Sequence, residues 1–222
     1  LEPENLIGAH GPPFSGQQEI KKIIINYRDT LQFLWDQTVR CANKGLTLNE
    51  TINVIKLPRQ FSDHYTTQQL YGLVEHHVRQ IYTGLFGWFD EDEANLFPVP
   101  LPERSQRLVE GFGGKARVRE IIDASLIKND FRWAIELSSW LVRGNFNDLG
   151  IADAGELEDR NRLASALRGV AYTTSAANIR NWCITRALEL DETLNLSRFR
   201  KHRFSKRELS RRTVSDSLKL LR

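Results

Sequence analysis

The chain has 222 residues, a net charge of +3 and only two cysteines, Cys41 and Cys183. This length supports a hydrophobic core that needs no disulfide or metal, and no window approaches the roughly 18 apolar residues of a membrane span. We therefore expect a globular domain without a membrane span, with both thiols in core positions. Because the sequence starts at Leu1 and contains no methionine, we expect a piece of a longer protein, and cytoplasmic and periplasmic or secreted locations both stay open.

The first residues of the chain differ from the rest. Residues 1–16, "LEPENLIGAHGPPFSG", are rich in proline and glycine and do not suit a helix interior. From residue 17 to residue 44, apolar side chains recur every three or four positions, which predicts a long amphipathic helix. "TLNE" at Thr47 to Glu50 predicts a capping box at the start of a second helix, which Pro58 ends.

The pattern of apolar residues predicts further helices in the rest of the chain. We expect them at 66–87, 103–112, 115–128, 130–144, 154–170 and 175–191. No run alternates apolar and polar residues convincingly, so we expect no substantial sheet and predict an all-α fold. "NDFRWAIELSSWLV" (129–142) has the spacing of a tetratricopeptide-like helical hairpin, which needs neighbours to bury its apolar face.

Two groups of residues suggest metal binding and are better explained otherwise. A hydrolytic metal site usually draws on a cluster such as His-x-His-x-Asp-His, and no such cluster occurs. His76 and His77 are adjacent on a predicted helix and point about 100° apart, so we expect His77 to be a hydrogen-bonded core residue. The acidic run 90–93 lacks the alternating ligands of a calcium loop.

His10 is the histidine that its surroundings single out. It lies in "GAHGPPFSG" (8–16), a turn-rich segment that predicts an exposed ring rather than a ring buried on a helix. An exposed loop histidine binds a metal well when other ligands converge on it. From the residues alone, His10 is a candidate metal ligand whose partners would have to come from elsewhere.

A basic segment near the end of the chain leaves two interpretations open. Residues 198–212, "RFRKHRFSKRELSRR", contain eight Arg or Lys and one acid. Such a segment can bind nucleic acid or an acidic partner, and it can equally be a solvated connector between domains. We favour the connector and do not expect nucleic acid as a partner.

Three stretches together resemble a known family. "RDTLQFLWDQTVRCANKGLTLNETINVIKLP" (28–58), "YGLVEHHVRQIYTGLFGWFDEDEANLFPVP" (71–100) and "NDFRWAIEL" (129–137) are similar to the dimerisation domain of the alkyl sulfatases of the metallo-β-lactamase superfamily. The likeness runs in order from about residue 8 to residue 190. In that family a zinc domain precedes the dimerisation domain, and a sterol-carrier-type domain follows it.

The resemblance implies an organisation for this chain. Residues 1–16 would be the tail end of the metallo-β-lactamase domain, 17–195 the helical dimerisation domain and 196–212 the basic linker. Residues 213–222 would start a truncated sterol-carrier-type domain. The family's "Ser-His-x-x-Pro-x-x-Gly" falls on residues 9–16, so the resemblance implies that His10 is the last zinc-ligand histidine.

What the resemblance implies about function concerns the whole protein more than this chain. It implies two zinc ions and an alkyl sulfate ester as substrate. This chain would supply at most one ligand to the zinc ions. We identify no catalytic residue here, no substrate-binding residue is indicated, and we expect the chain alone to be inactive. We expect a homodimer in which the helices 17–44 and 66–87 pack against their symmetry mates. The alternative is a non-enzymatic helical-repeat interaction module whose basic tail binds an acidic partner or nucleic acid.

One stretch both carries the resemblance and departs from it. The family's "Gly-Trp-Phe-Asp-Gly-Asn-Pro" is "GWFDEDE" (87–93) here, and its "His-Asn" is His76-His77. Loss of that glycine and proline implies a differently shaped turn. We expect Trp88 and Phe89 to pack back under the preceding helix, with the acids on the exposed edge of the turn.

Overall fold

The computed structural model describes residues 2–144, 155–196, 210–211 and 213–219. The all-α prediction is confirmed, because helices make up nearly all of the regular structure in these residues. The helices are α1 (Gln17–Ala42), α2 (Leu48–Val54), α3 (Arg59–Ser62), α4 (Val74–Phe86), α5 (Leu101–Gly111), α6 (Lys115–Ile127), α7 (Phe131–Arg143), α8 (Leu157–Thr173), α9 (Ala177–Leu190) and α10 (Val214–Lys219). No helix in the described ranges is long and apolar enough to cross a membrane.

Two short strands precede α1. The strand β1 (Asn5–Leu6) pairs antiparallel with β2 (Phe14–Ser15). This hairpin is the sheet structure of the described part of the chain, so the expectation of no substantial sheet is confirmed.

The first half of the molecule is built around α1. Its buried stripe includes Ile20, Ile23, Leu34 and Cys41, and α2 and α4 pack against it. The predicted capping box at the start of α2 is confirmed, because Thr47 Oγ1 accepts from Glu50 N at 3.2 Å and Thr47 N donates to Glu50 Oε2 at 2.8 Å. Two orphan amides of this short helix are thus satisfied locally.

The prediction of one helix over 66–87 is wrong at its start, because α4 begins only at Val74. Leu70 O and Tyr71 O accept hydrogen bonds from α9, so they are not used to extend α4 towards its N-terminus. The side chain of Gln69 accepts from Val74 N at 2.7 Å, which caps the helix at that residue. Long-range hydrogen bonds therefore outweigh the local helical pattern.

The second half is a series of helices that pack in chain order. α6 packs on α7, α7 on α8 and α8 on α9, while α5 lies against α7. Two core clusters fill this stack, one around Val118, Ile122 and Leu137 and the other around Leu163 and Leu190. Cys41 is buried as predicted, whereas Cys183 is only partly buried.

The proposed boundaries near the end of the chain stay predictions. Most of the basic segment 198–212 lies outside the described residues. The short helix α10 falls where the start of a sterol-carrier-type domain is expected, and nothing further is described there.

Candidate functional site

His10 lies in the loop between the two strands of the N-terminal hairpin. Ser15 Oγ donates to Asn5 Oδ1 at 2.8 Å and Gly16 N donates to Glu4 O at 2.8 Å, so the base of this loop is closed by hydrogen bonds. The side chain of His10 is exposed, as predicted. A strand pair thus presents an accessible imidazole on a short, closed loop.

Two tyrosines contact this loop. The rings of His10 and Tyr71 lie 5.1 Å apart between centroids, and the ring of Tyr65 lies 6.4 Å from that of Phe14. Tyr65 also approaches Gly11 so closely that a Cβ there would come within 3.0 Å of Tyr65 Oη. With φ of +88°, Gly11 has a conformation that other residues rarely adopt, so the loop depends on this glycine.

The loop borders a groove of about 460 Å³. We call it the His10 groove, and its walls include His10, Tyr27, Leu31, Tyr65, Tyr71 and His77. The lining combines apolar and aromatic side chains with a few polar groups, which is the usual make-up of a ligand pocket. No local sequence pattern predicts Tyr65 or Tyr71 at this site, because their contacts with the loop join distant parts of the chain.

His77 lies at the groove and not in the core, so its predicted core position is wrong. The ring is exposed on one side and packs on the other against Gly72, whose added Cβ would lie 3.0 Å from Nε2. Burial lowers the pKa of His77, and the neighbouring His76 lowers it further. Both effects favour the neutral form of the ring.

The residues described here do not form a complete metal site. Within the described ranges, no three His, Cys, Asp or Glu side chains come together to hold an ion. His10 offers one imidazole, and a zinc site needs three or four ligands. The described residues can therefore supply one zinc ligand, His10. The remaining ligands of a zinc site would have to come from outside the described residues.

The acidic run 90–93 serves a structural role in part. Asp90 O accepts from Leu48 N at 3.0 Å, and Asp90 Oδ2 accepts from Asn95 Nδ2 at 2.8 Å. Glu91 and Glu93 are exposed. Asp90 thus ties this turn to the start of α2. The expectation that all four acids lie on the exposed edge is confirmed for Glu91 and Glu93 and is wrong for Asp90 and Asp92, which are half-buried.

The expected packing of Trp88 under α4 is wrong for the single chain. Trp88 is 75% exposed, and its ring contacts Phe89 at 5.7 Å between centroids. Phe86 and Phe97 are exposed as well, so residues 86–101 form a segment that carries several exposed, large apolar side chains. We call this segment the aromatic arm.

A second apolar stripe on α1 is also open. Ile24, Tyr27, Leu31 and Trp35 are each about half exposed, and their spacing places them on one face of the helix beside the buried stripe. We call these four residues the open stripe. Tyr27 and Leu31 belong to the open stripe and to the His10 groove.

Known proteins match most of this chain. The family model for alkyl sulfatase dimerisation matches residues 47–193. The chain is 35% identical over 191 residues to a linear primary-alkylsulfatase of Pseudomonas sp. (strain ATCC 19151), covering 85% of this chain and 34% of that protein. It is 31% identical over 185 residues to the alkyl/aryl-sulfatase BDS1 of Saccharomyces cerevisiae, covering 83% of this chain and 27% of that protein.

A solved structure shares the fold. The stereoselective inverting sec-alkylsulfatase Pisa1 from Pseudomonas sp. matches with a TM-score of 0.77 and 31% identity, over 86% of this chain and 29% of that chain. The chain thus spans about a third or less of the length of the relatives it matches. Because the family model covers more than half of the chain, the chain belongs to the alkyl sulfatase dimerisation family.

Proposed function

We propose that this chain is the dimerisation region of a zinc-dependent alkyl sulfatase-like hydrolase, and that it forms a homodimer and contributes His10 as one zinc ligand. The observation that carries the proposal is the exposed His10 on a closed loop, beside an aromatic groove, in a chain of this family. The substrate class, an alkyl sulfate ester, follows from the names of the relatives. The whole protein, and not this chain alone, carries the activity.

The open stripe supports self-association. Four large apolar side chains lie exposed on one helix face, and the aromatic arm exposes further large apolar side chains. Apolar surface of this kind often marks a protein–protein contact. A two-fold axis lets one such surface cover itself. We propose that the open stripe of α1 packs on the partner protomer, in an interface of more than about 2,000 Å² as obligate dimers show.

The chemistry belongs to the zinc ions and to ligands from outside this chain. When bound, a dinuclear zinc site holds a water or hydroxide and stabilises the charge that develops as a sulfate ester is cleaved. His10 would hold a metal through one ring nitrogen. The His10 groove would border that metal with apolar side chains that suit an alkyl chain.

Light scattering tests the dimer directly. At micromolar concentration we expect a mass of twice the 25.6 kDa of the chain. Leu31→Asp in the centre of the open stripe should give the monomer mass, because a desolvated, unpaired charge opposes the contact. Ile127→Asp is the matched control, since Ile127 is 83% exposed on α6 and should leave the dimer intact. A clean monomer for the unaltered chain would overturn the proposal.

The basic segment favours one alternative function. Eight basic residues within 198–212 suit a module that binds an acidic partner or nucleic acid without catalysis. That function predicts retardation of nucleic acid in a gel, which weakens steeply with salt and disappears when residues 198–212 are deleted. A titration at two salt concentrations separates it from the first proposal.

A further inference from the structure

The turn at residues 69–72 is held by the start of α9. Three consecutive carbonyls accept hydrogen bonds: Gln69 O from Ser175 Oγ at 2.8 Å, Leu70 O from Ala177 N at 2.8 Å and Tyr71 O from Asn178 N at 3.3 Å. These bonds join residues more than 100 positions apart. The turn that carries Tyr71 is thus fixed by the far end of the helical stack.

This contact provides hydrogen-bond partners for backbone groups of both α9 and the turn 69–72. The first amides of a helix have no acceptor within their own helix, and Ala177 and Asn178 are the first two residues of α9. The carbonyls of residues 70 and 71 precede α4 and have no helical donor, so they pair with these amides. At the other end of the turn, the side chain of Gln69 accepts a hydrogen bond from Val74 N.

A second link joins the same two parts of the molecule. Arg132 of α7 binds Glu75 in the first turn of α4 through two hydrogen bonds of 2.9 and 3.0 Å. Burial alone would raise the pKa of Glu75, but the bonds from Arg132 outweigh it and leave that pKa below its ordinary value. The second half of the molecule therefore holds the first at two neighbouring points, the turn 69–72 and Glu75.

We propose that Ser175 and the first turn of α9 are positioning elements for the His10 site. By holding the turn 69–72, they keep the ring of Tyr71 against His10 and so fix the direction in which the imidazole presents its nitrogens. This inference rests on the proposed role of His10 as a ligand. It gives the helical stack a second task besides packing, because the stack orients a group at the opposite end of the sequence.

Two variants remove the contact in different ways. Ala177→Pro deletes the N–H that Leu70 O accepts, at a first helical position where proline is tolerated. Ala176 before it already has the extended backbone, with ψ of 107°, that a following proline requires. Ser175→Ala deletes only the hydroxyl, and Ser175→Thr should restore it. Thr173→Ala is the matched control, because Thr173 Oγ1 bonds Gly169 O within its own helix.

The readout is the NMR spectrum of the metal-free chain with labelled histidine. The signals of His10 are assigned by their loss in His10→Ala, and Tyr71→Leu shows where they move without the neighbouring ring. In Ala177→Pro and Ser175→Ala we expect the His10 signals to move part of the way to that position. In Ser175→Ala we expect amide exchange at Asn178 to become about two- to tenfold faster. Ser175→Thr and Thr173→Ala should match the unaltered chain.

Several results would overturn this inference. It fails if the His10 signals stay in place in both Ala177→Pro and Ser175→Ala, or if Tyr71→Leu does not move them. A change of the same size in Thr173→Ala would reduce the effect to a general loosening of the helices and would also refute it. The zinc content of the full-length protein tests His10 as a ligand separately, so the positioning role and the proposed function can fail independently.

Discussion

Phe131 lies so close to Gly169 that a Cβ added to the glycine would come within 2.3 Å of the aromatic ring. This contact brings α7 and α8 together at the level of Phe131. No alanine fits there unless the ring moves, and the ring belongs to the first residue of α7. The packing of α7 against α8 thus requires that residue 169 has no side chain.

We expect Gly169→Ala to destabilise the chain. Overpacking at a tight contact costs about 1–3 kcal/mol, which exceeds the gain of up to about 1 kcal/mol from replacing a helical glycine by alanine. Urea unfolding followed by circular dichroism measures the change.

The matched control for this substitution is Gly84→Ala in α4. Gly84 has nothing within 4 Å of an added Cβ, so the same change should stabilise the chain there. Phe131→Leu combined with Gly169→Ala should recover part of the loss, because the smaller side chain leaves room. An equal effect of alanine at both glycines would show that the Phe131 contact is unimportant.

A buried ion pair should contribute more to the stability of the chain than the exposed pairs. Asp159 has only 1% of its side chain exposed, and Arg119 donates to its two carboxylate oxygens at 2.7 and 2.8 Å. Arg119→Ala leaves this carboxylate without its main partner, which typically costs about 3–5 kcal/mol. We expect the lower end of that range, because Arg162 lies 3.7 Å from Asp159 and partly compensates.

Arg117→Ala provides the comparison for Arg119→Ala. Arg117 pairs with Glu120 at the surface of the same helix, with both side chains more than half exposed. Such a pair contributes at most about 1 kcal/mol. If the urea concentration at the midpoint of unfolding fell by a similar amount in the two variants, the buried pair would not stabilise the chain more than the exposed pair.

The stability of the contact between α8 and α9 should depend on pH. Hydrogen bonds from Thr193 and from Arg168 lower the pKa of Asp191 from 3.8 to about 2. Because the folded state binds this proton less readily than the unfolded state, the contribution of Asp191 is fully present above about pH 4. It is lost as the pH falls to about 2.

Urea unfolding of the unaltered chain and of Asp191→Asn at pH 6, 4 and 3 checks this expectation. The difference between the two proteins should be constant from pH 6 to pH 4 and smaller at pH 3. Arg168→Met should weaken the pH dependence, because it removes one of the groups that lower the pKa. A difference that grows on acidification would have the wrong sign.

Metal analysis of the full-length protein tests the proposed ligand. We expect His10→Ala to remove about half or more of the bound zinc, since a site with an open position rarely keeps its metal after losing a ligand. His76→Ala should retain the metal, because His76 is an exposed histidine that pairs with Glu75 on α4. Full zinc content in His10→Ala would exclude His10 as a ligand.

Much of the helical fold could be predicted from local patterns. The period of α1 and the side chains of Thr47 and Glu50 act between neighbours in sequence, so their effects are visible in a short window. The same holds for the exposure of His10, which follows from the glycines and prolines around it. These features needed no knowledge of distant contacts.

The rest of the site could not be read in this way. Tyr71 contacts a histidine 61 positions earlier, and its turn is held by residues more than 100 positions later. The helical pattern of 66–73 gave a wrong start for α4, because the carbonyls there bond to α9. Trp88, predicted to pack under the preceding helix, is 75% exposed in the described part of the chain. Sequence periodicity carries no information about such partners.

The N-terminal hairpin leads into α1 without an intervening linker. Ser15 ends β2, α1 begins at Gln17, and Gly16 between them both donates to Glu4 O and accepts from Ile20 N. This junction leaves no hinge between the loop of His10 and the helix with the open stripe. In the proposed dimer the two imidazoles would therefore keep a constant separation, because each loop is joined directly to a helix of the interface.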